Sequence, residues 1–199
     1  MKSQIKVLVF TMAILAVMVP AILWAQETPG KTNYAVLKIG AFIPESGDLH
    51  KQDAGNGFSG QLAFGYYLNP YFSLDAAFGY FETKGNSGNV DMKYGVIPLE
   101  IAGRFGLPLG IFEPYLAVGV GGYRVKSEVG RGEKESYQAG FFGGGGVNFN
   151  LSKTFFIGAE AKYLVLNAPT LVATPNSNIV TTNIDLNGFF VTGNIGFRF

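Results

Sequence analysis

The chain is predicted to be all-β, an eight-stranded antiparallel up-and-down barrel that crosses a membrane, preceded by an N-terminal signal peptide. Three observations predict this. Hydrophobic residues make up 48% of the chain and charged ones only 15%, with 28 glycines and 18 phenylalanines, whereas soluble domains carry about 25% charged residues. After the first segment no apolar run reaches the roughly 20 residues that a membrane helix needs. And the chain repeatedly alternates apolar and polar residues with period two, the signature of a strand with two different faces.

The first segment, MKSQIKVLVFTMAILAVMVPAILWAQ, places Lys2 and Lys6 before an apolar run from Val7 to Val19, then Pro20 and a small residue at Ala25. That order is a secretory signal peptide, residues 1–25, with cleavage between Ala25 and Gln26. The apolar run is too short for a transmembrane anchor, the competing reading. The barrel domain then occupies residues 26–199, and loss of the two lysines leaves 13 basic against 14 acidic residues, a net charge of −1.

The alternating segments follow in order. Ala35, Leu37, Ile39, Ala41 and Ile43 form one apolar parity, with Lys38 on the other. Phe58, Leu62, Phe64, Tyr66 and Leu68 oppose Ser59 and Gln61. After a turn at Asn69-Pro70, Phe72, Leu74, Ala76, Phe78 and Tyr80 oppose Ser73 and Asp75. Ile97, Leu99, Ile101, Gly103 and Phe105 oppose Glu100 and Arg104; Leu116, Val118 and Val120 oppose Tyr115 and small residues. Ala139, Phe141, Val147 and Phe149 oppose Gln138 and Asn148; Phe155, Ile157, Ala159, Ala161 and Tyr163 oppose Glu160 and Lys162. The last set, Phe189, Val191, Ile195, Phe197 and Phe199, opposes Thr192, Asn194 and Arg198.

No charge falls on the apolar parity of any segment. A soluble calyx, a periplasmic ligand-binding barrel for example, would have the reverse arrangement, apolar inside and polar outside. Val90 to Gly95 is out of phase with Ile97 onward, which predicts a bulge near Gly95. Short connections at Asn69–Tyr71, Leu107–Ile111 and Asn150–Thr154 alternate with long, mostly polar ones at Pro44–Gly57, Glu82–Asp91, Lys126–Ser136 and Leu166–Asn187. Short periplasmic turns and long outside loops are the asymmetry of outer-membrane barrels, and it sets both termini in the periplasm.

The stretch VIPLEIAGRFGLPLGIFEPYLAVGVGGY and the terminal GFRF resemble the small eight-stranded outer-membrane barrels of Gram-negative bacteria: the OmpA transmembrane domain, OmpX and OmpW families. The resemblance covers the whole mature chain. It implies an outer-membrane location, outer-membrane lipid and lipopolysaccharide as surroundings, a monomer, and passage through periplasmic chaperones to the barrel-assembly machinery. In these families a final aromatic residue is an assembly address, which Phe197 and Phe199 match.

Lys38, Asp75, Glu100, Arg104, Glu160, Lys162 and Arg198 are expected to form a polar network inside the barrel. An eight-stranded barrel is just wide enough for its side chains to fill it, and unpaired buried charges cost several kcal/mol each, about enough to force pairing. Glycines on the same parity (Gly65, Gly79, Gly119, Gly121, Gly144) leave space for Tyr67, Phe81, Tyr123 and the long charged chains.

The resulting expectation is a structural, surface-interaction or minor small-solute role, porin-like in the last case. No cofactor, metal or nucleic-acid partner is expected: cysteine is absent and no basic block occurs. The competing enzymatic reading, a lipid A acyl hydrolase, needs a nucleophile beside a base. The only histidine, His50, sits in the polar loop PESGDLHKQDAGNG without a suitably spaced serine. The carboxylates Asp48/Asp53 and Glu133/Glu135 are interleaved with lysines and read as ordinary charged loops. Two features of the outside loops could serve binding. Leu171, Val172, Ile179 and Val180 either extend strands beyond the bilayer or form an apolar lip, and Arg124, Lys126, Arg131 and Lys134 could meet lipopolysaccharide phosphates.

Overall fold

The computed structural model describes residues 33–45, 55–87, 90–129, 132–173 and 179–199, without the side chains of 86–87, 90–91, 129, 168–173 and 179–184. The signal peptide, His50, Asp48, Asp53 and Arg131 lie outside the described residues, as do the side chains of Leu171, Val172, Ile179 and Val180.

Strands β1 (Asn33–Pro44), β2 (Gly57–Asn69), β3 (Phe72–Ser87), β4 (Val90–Gly106), β5 (Phe112–Val129), β6 (Gly132–Asn150), β7 (Phe155–Val165) and β10 (Gly188–Arg198) close into a barrel. Between β7 and β10, β8 (Asn167–Ala173) and β9 (Ile179–Asp185) form a separate hairpin. All neighbours are antiparallel. The seam is β1 on β10, from Tyr34 opposite Arg198 to Pro44 opposite Gly188. Asn33 and Phe199 finish it by exchanging backbone hydrogen bonds at 3.2 and 2.9 Å.

The short turns sit at the same end as the seam's termini, and each has a chemical cause. Asn69 Oδ1 accepts the Tyr71 and Phe72 amides at 2.8 and 2.9 Å, an Asx turn. Ser152 Oγ accepts those of Thr154 and Phe155 at 3.1 and 2.9 Å. Between β4 and β5, Gly110 takes φ 69°, a left-handed conformation that glycine adopts at no steric cost.

The apolar parity faces outward as predicted. Leu99, Leu116 and Val120 are 67%, 68% and 63% exposed, which only a hydrocarbon surround accommodates over so wide a belt. Aromatic residues (Tyr66, Tyr71, Phe105, Phe112, Phe149, Phe155, Phe197, Phe199) edge the belt at the end of the short turns, where an interfacial girdle belongs.

Three expectations are corrected. No bulge occurs near Gly95: the β3–β4 register runs from Phe72–Phe105 to Ser87–Val90 without a shift, and the irregularity lies at Tyr67/Asn69 instead. The phase change at Val96 is real but chemical. Above the membrane belt the barrel interior turns apolar, so Met92, Tyr94 and Val96 are buried on the same parity that carries Glu100 and Arg104 below. Second, Glu82–Asp91 and Lys126–Ser136 are strand for most of their length, so that β3 to β6 rise past the other strands. Their charges read as loop, but period two persists through them. Third, a Cβ at Gly65 would collide with the Tyr34 ring, and one at Gly79 with the backbone of Gly60 and Gln61. These glycines serve Tyr34 and close strand approach rather than Tyr67 and Phe81.

Candidate functional site: the barrel interior

The interior is stacked in layers along the barrel axis. At the end of the short turns Glu113, at the start of β5, is the hub. It takes Arg104 at 3.2 Å and Arg198 at 2.7 Å, with the Tyr67 hydroxyl donating at 3.1 Å. Beside it Tyr34 donates to Asp75, and its hydroxyl oxygen lies 2.8 Å from Ser73 Oγ. The Arg104 guanidinium stacks 3.5 Å from the centre of the Tyr115 ring, and Arg198 lies 4.5 Å from that of Phe156. Such cation–π contacts recover part of what the cations lose in leaving water.

The middle layer holds two ion pairs. Lys38 Nζ meets Glu160 at 2.6 Å, and Tyr115 donates to the same oxygen at 2.8 Å. Lys162 Nζ meets both Glu100 oxygens at 2.8 and 3.0 Å, while Gln61 and Tyr123 donate to them at 2.6 and 2.9 Å. Lys162 also lies over the rings of Phe142 and Phe190, at 4.6 and 4.7 Å. Buried pairs are sustained only when geometry is good and the remaining lone pairs are satisfied. Both conditions hold here.

Above these pairs the interior is hydrocarbon. Phe42, Phe81 and Phe190 pack with ring centroids 4.8 to 4.9 Å apart. Tyr94, Val96, Tyr123, Val125, Leu164, Leu166 and Leu186 belong to the same cluster.

Of the seven charged residues expected inside, Lys38, Glu100, Arg104, Glu160, Lys162 and Arg198 lie in ion pairs on the lumen side, and Asp75 is held by Tyr34 and Ser73. The sequence reading missed an eighth, Glu113. With it, four carboxylates (Asp75, Glu100, Glu113, Glu160) balance four cations (Lys38, Arg104, Lys162, Arg198) among the described residues. Glu113 shares parity with Tyr115, which was the available signal. Pro114 lies between them, and proline is a residue of strand starts and edges rather than of strand interiors.

The enclosed space left among these groups is a cavity of about 20 Å³ bounded by Lys38, Gln61, Asp75, Glu100, Glu160 and Lys162 among others. That is room for about one water molecule. Asn148 Oδ1 is buried without a hydrogen-bond partner.

On the outside, just above the belt, Lys93, Arg124 and Lys126 border a hollow of about 310 Å³ with Tyr80, Gly95 and Ile97. Each cation has a carboxylate: Lys93–Glu82 at 2.9 Å, Arg124–Glu135 at 2.6 Å, and Lys126 with Glu128 and Glu133 at 3.0 and 3.1 Å. Lysine and tyrosine hydrogen bonds hold Glu82 below the usual carboxylate range, and Arg124 does the same to Glu135.

A closed eight-stranded barrel with a lipid-facing belt, aromatic edges and a charge-balanced interior defines an integral outer-membrane β-barrel. The chain belongs to the outer membrane protein beta-barrel domain family, which it matches over residues 9–199, and its location is the outer membrane. Among solved structures it is similar to Neisserial surface protein A, at 14% identity over 84% of this chain and 97% of that one, with TM-score 0.62. It is also similar to OprG of Pseudomonas aeruginosa, at 14% identity over 85% and 97%, TM-score 0.65. Ail, the attachment invasion locus protein of Yersinia pestis, is 17% identical over 86% and 100%, TM-score 0.51. At these identities the likeness is one of fold. No curated protein matches the chain.

Proposed function

We propose that the protein is a monomeric, non-enzymatic barrel with a closed lumen, acting through its wall and outer surface rather than as a pore. The observation that carries this is the interior pairing. Glu100, Glu113 and Glu160 pair with four cations, Asp75 is held by Tyr34 and Ser73, and the middle layer leaves about 20 Å³, too little for a hydrated ion to pass. The test is planar-bilayer conductance of the refolded protein. A silent bilayer is expected; reproducible conductance steps would refute the closed lumen and favour small-solute passage.

The surface role centres on the hollow at Lys93, Arg124 and Lys126. Arg124 pairs with Ile97, the last outward apolar residue of β4, and so sits at headgroup level. Its ion pairs and those of its neighbours are exposed, and such pairs are worth about 0–1 kcal/mol, so a lipid phosphate can exchange with the carboxylates. The expected partner is the phosphorylated glycolipid of the outer leaflet. Native mass spectrometry should show lipid A retained by the parent protein and several-fold less by the K93Q/R124Q/K126Q variant. Equal retention would remove this site.

Residues 1–25 act as a cleaved signal peptide and Phe197/Phe199 as the address read by the assembly machinery. A mature N-terminus at Gln26 is the expected mass-spectrometric result for the first.

A further inference from the structure

The β8–β9 hairpin keeps the register of the barrel strands from which it grows. Leu164 pairs with Gly188 on β7 and β10, and Asn167 pairs with Asp185 on β8 and β9. Each step forward on one arm is matched by one step back on the other, so no residue is gained or lost between the two sheets. Leu186 donates its amide to the Leu166 carbonyl at 2.7 Å across the junction, and Asn187 Oδ1 accepts the Leu166 amide at 2.8 Å. Chemically this is one long hairpin. It nevertheless belongs to two sheets.

The distal half has left the wall. β8 lies against β6 and β5 and reaches β4, strands successively further round the barrel. Leu166 and Leu186 are buried with Met92, Tyr94, Val96 and Val125 on the lumen side of the raised strands, so the hairpin leans inward over the mouth. Meanwhile β6 pairs with β7 only from Phe141 onward. The edge of β6 from Gly132 to Ala139 turned away from β5 is paired with no strand among the described residues.

Continuing the β6–β7 register would lay β8 along that edge, with Tyr137 opposite Pro169 and Lys134 opposite Val172. Parity decides what would then meet. The Leu166 carbonyl accepts from the Leu186 amide and the Leu166 amide is taken up by Asn187 Oδ1 on the same side, so even-numbered residues of β8 direct their amides to β9 and odd-numbered ones away from it, toward β6. Pro169 is odd-numbered. It has no amide hydrogen to give to β6, yet costs nothing on the β9 side, which is where proline is tolerated in a sheet.

We infer that Pro169 decides between two positions of this hairpin: a cap folded over the lumen mouth, and a wall extension in which β8 pairs with the free edge of β6, with Val165–Leu166 and Leu186–Asn187 as the hinge. Proline at this place removes a central ladder bond from the wall position and leaves the cap untouched. The cap therefore prevails.

The chain contains no cysteine, so introduced thiols report without interference. Lys134→Cys with Val172→Cys would face each other as a non-hydrogen-bonded pair in the wall position, within disulfide reach. In protein refolded into phosphatidylcholine vesicles and exposed to a mild oxidant, the parent with Pro169 should cross-link slowly. Pro169→Val should raise the equilibrium yield roughly fivefold, the effect of restoring one ladder hydrogen bond. A pair offset by one residue, Lys134→Cys with Leu171→Cys, should stay low in both. Fast, complete cross-linking with Pro169 present, or no increase on its replacement in protein that retains its heat-modifiable gel shift, would overturn the inference.

Discussion

Glu113 and Arg198, eighty-five positions apart, meet at 2.7 Å across the lumen. The contact ties the second residue of β5 to the last residue of the closing strand. Glu113 simultaneously holds Arg104, so a single carboxylate pairs with two arginines beside the Tyr67, Tyr115 and Phe156 rings, and the second negative charge near Arg104 is that of Asp75.

That arrangement makes Glu113 the most sensitive charged position of the barrel. Glu113→Gln leaves two buried guanidinium groups without their carboxylate. Breaking a buried pair by removing one partner costs about 3–5 kcal/mol, and this loss is expected in urea unfolding of the vesicle-reconstituted protein. A loss below about 1 kcal/mol, the range of an exposed pair, would show that water reaches this layer.

The central pair permits a sharper test, because each partner has substitutes when the other is gone. Without Glu100, Lys162 retains the Phe142 and Phe190 rings; without Lys162, Glu100 retains the Gln61 and Tyr123 donors. Glu100→Gln and Lys162→Met should each destabilise, and the double variant should be less destabilised than the sum of the two. A coupling of about 1–3 kcal/mol is expected from a double-mutant cycle. Strict additivity would mean that the two groups do not share one network.

How much of this was readable from the sequence depends on which distance is asked about. Parity along one strand is local, and it sets Lys38, Asp75, Glu100, Arg104, Glu160, Lys162 and Arg198 on the face opposite the apolar one. Partnership is not local. Lys38 finds Glu160 on a strand that is not its neighbour, at a sequence separation of 122, and that depends on how the barrel staggers when it closes. Parity also fails where the surroundings change. Met92, Tyr94 and Val96 are apolar and inward because the hairpin covers them, whereas Leu99 and Ile101 are apolar and outward because lipid does. A hydrophobicity pattern alone cannot tell the two causes apart, so the switch between them looked like a bulge.

The ion pairs above the belt predict a pH response confined to acid. Glu82 is held below the usual carboxylate range, first by its hydrogen bond from Lys93 and then by that from Tyr80. A depressed carboxylate stabilises the fold fully above its unfolded-state value, near about 4.3, and the contribution disappears as pH falls through the folded value. The pair is partly exposed, so the effect is under about 1 kcal/mol. In a carbon-detected NMR titration, Lys93→Met should move the Glu82 midpoint upward, toward the ordinary value. An unchanged midpoint would assign the depression to Tyr80 instead.

Phe199 separates stability from assembly. Its side chain is exposed at the membrane edge, stacked on Phe197 at 6.3 Å, while its backbone closes the seam with Asn33. Phe199→Ala keeps the backbone bonds and removes only a lipid-facing ring, so spontaneous refolding into detergent should proceed with an unchanged urea midpoint. In cells the same variant should reach the outer membrane several-fold less if Phe199 is, as proposed, the address of the assembly machinery. If refolding and cellular level fell together, the ring would be acting as part of the barrel's own packing. If neither changed, Phe199 would not be an address.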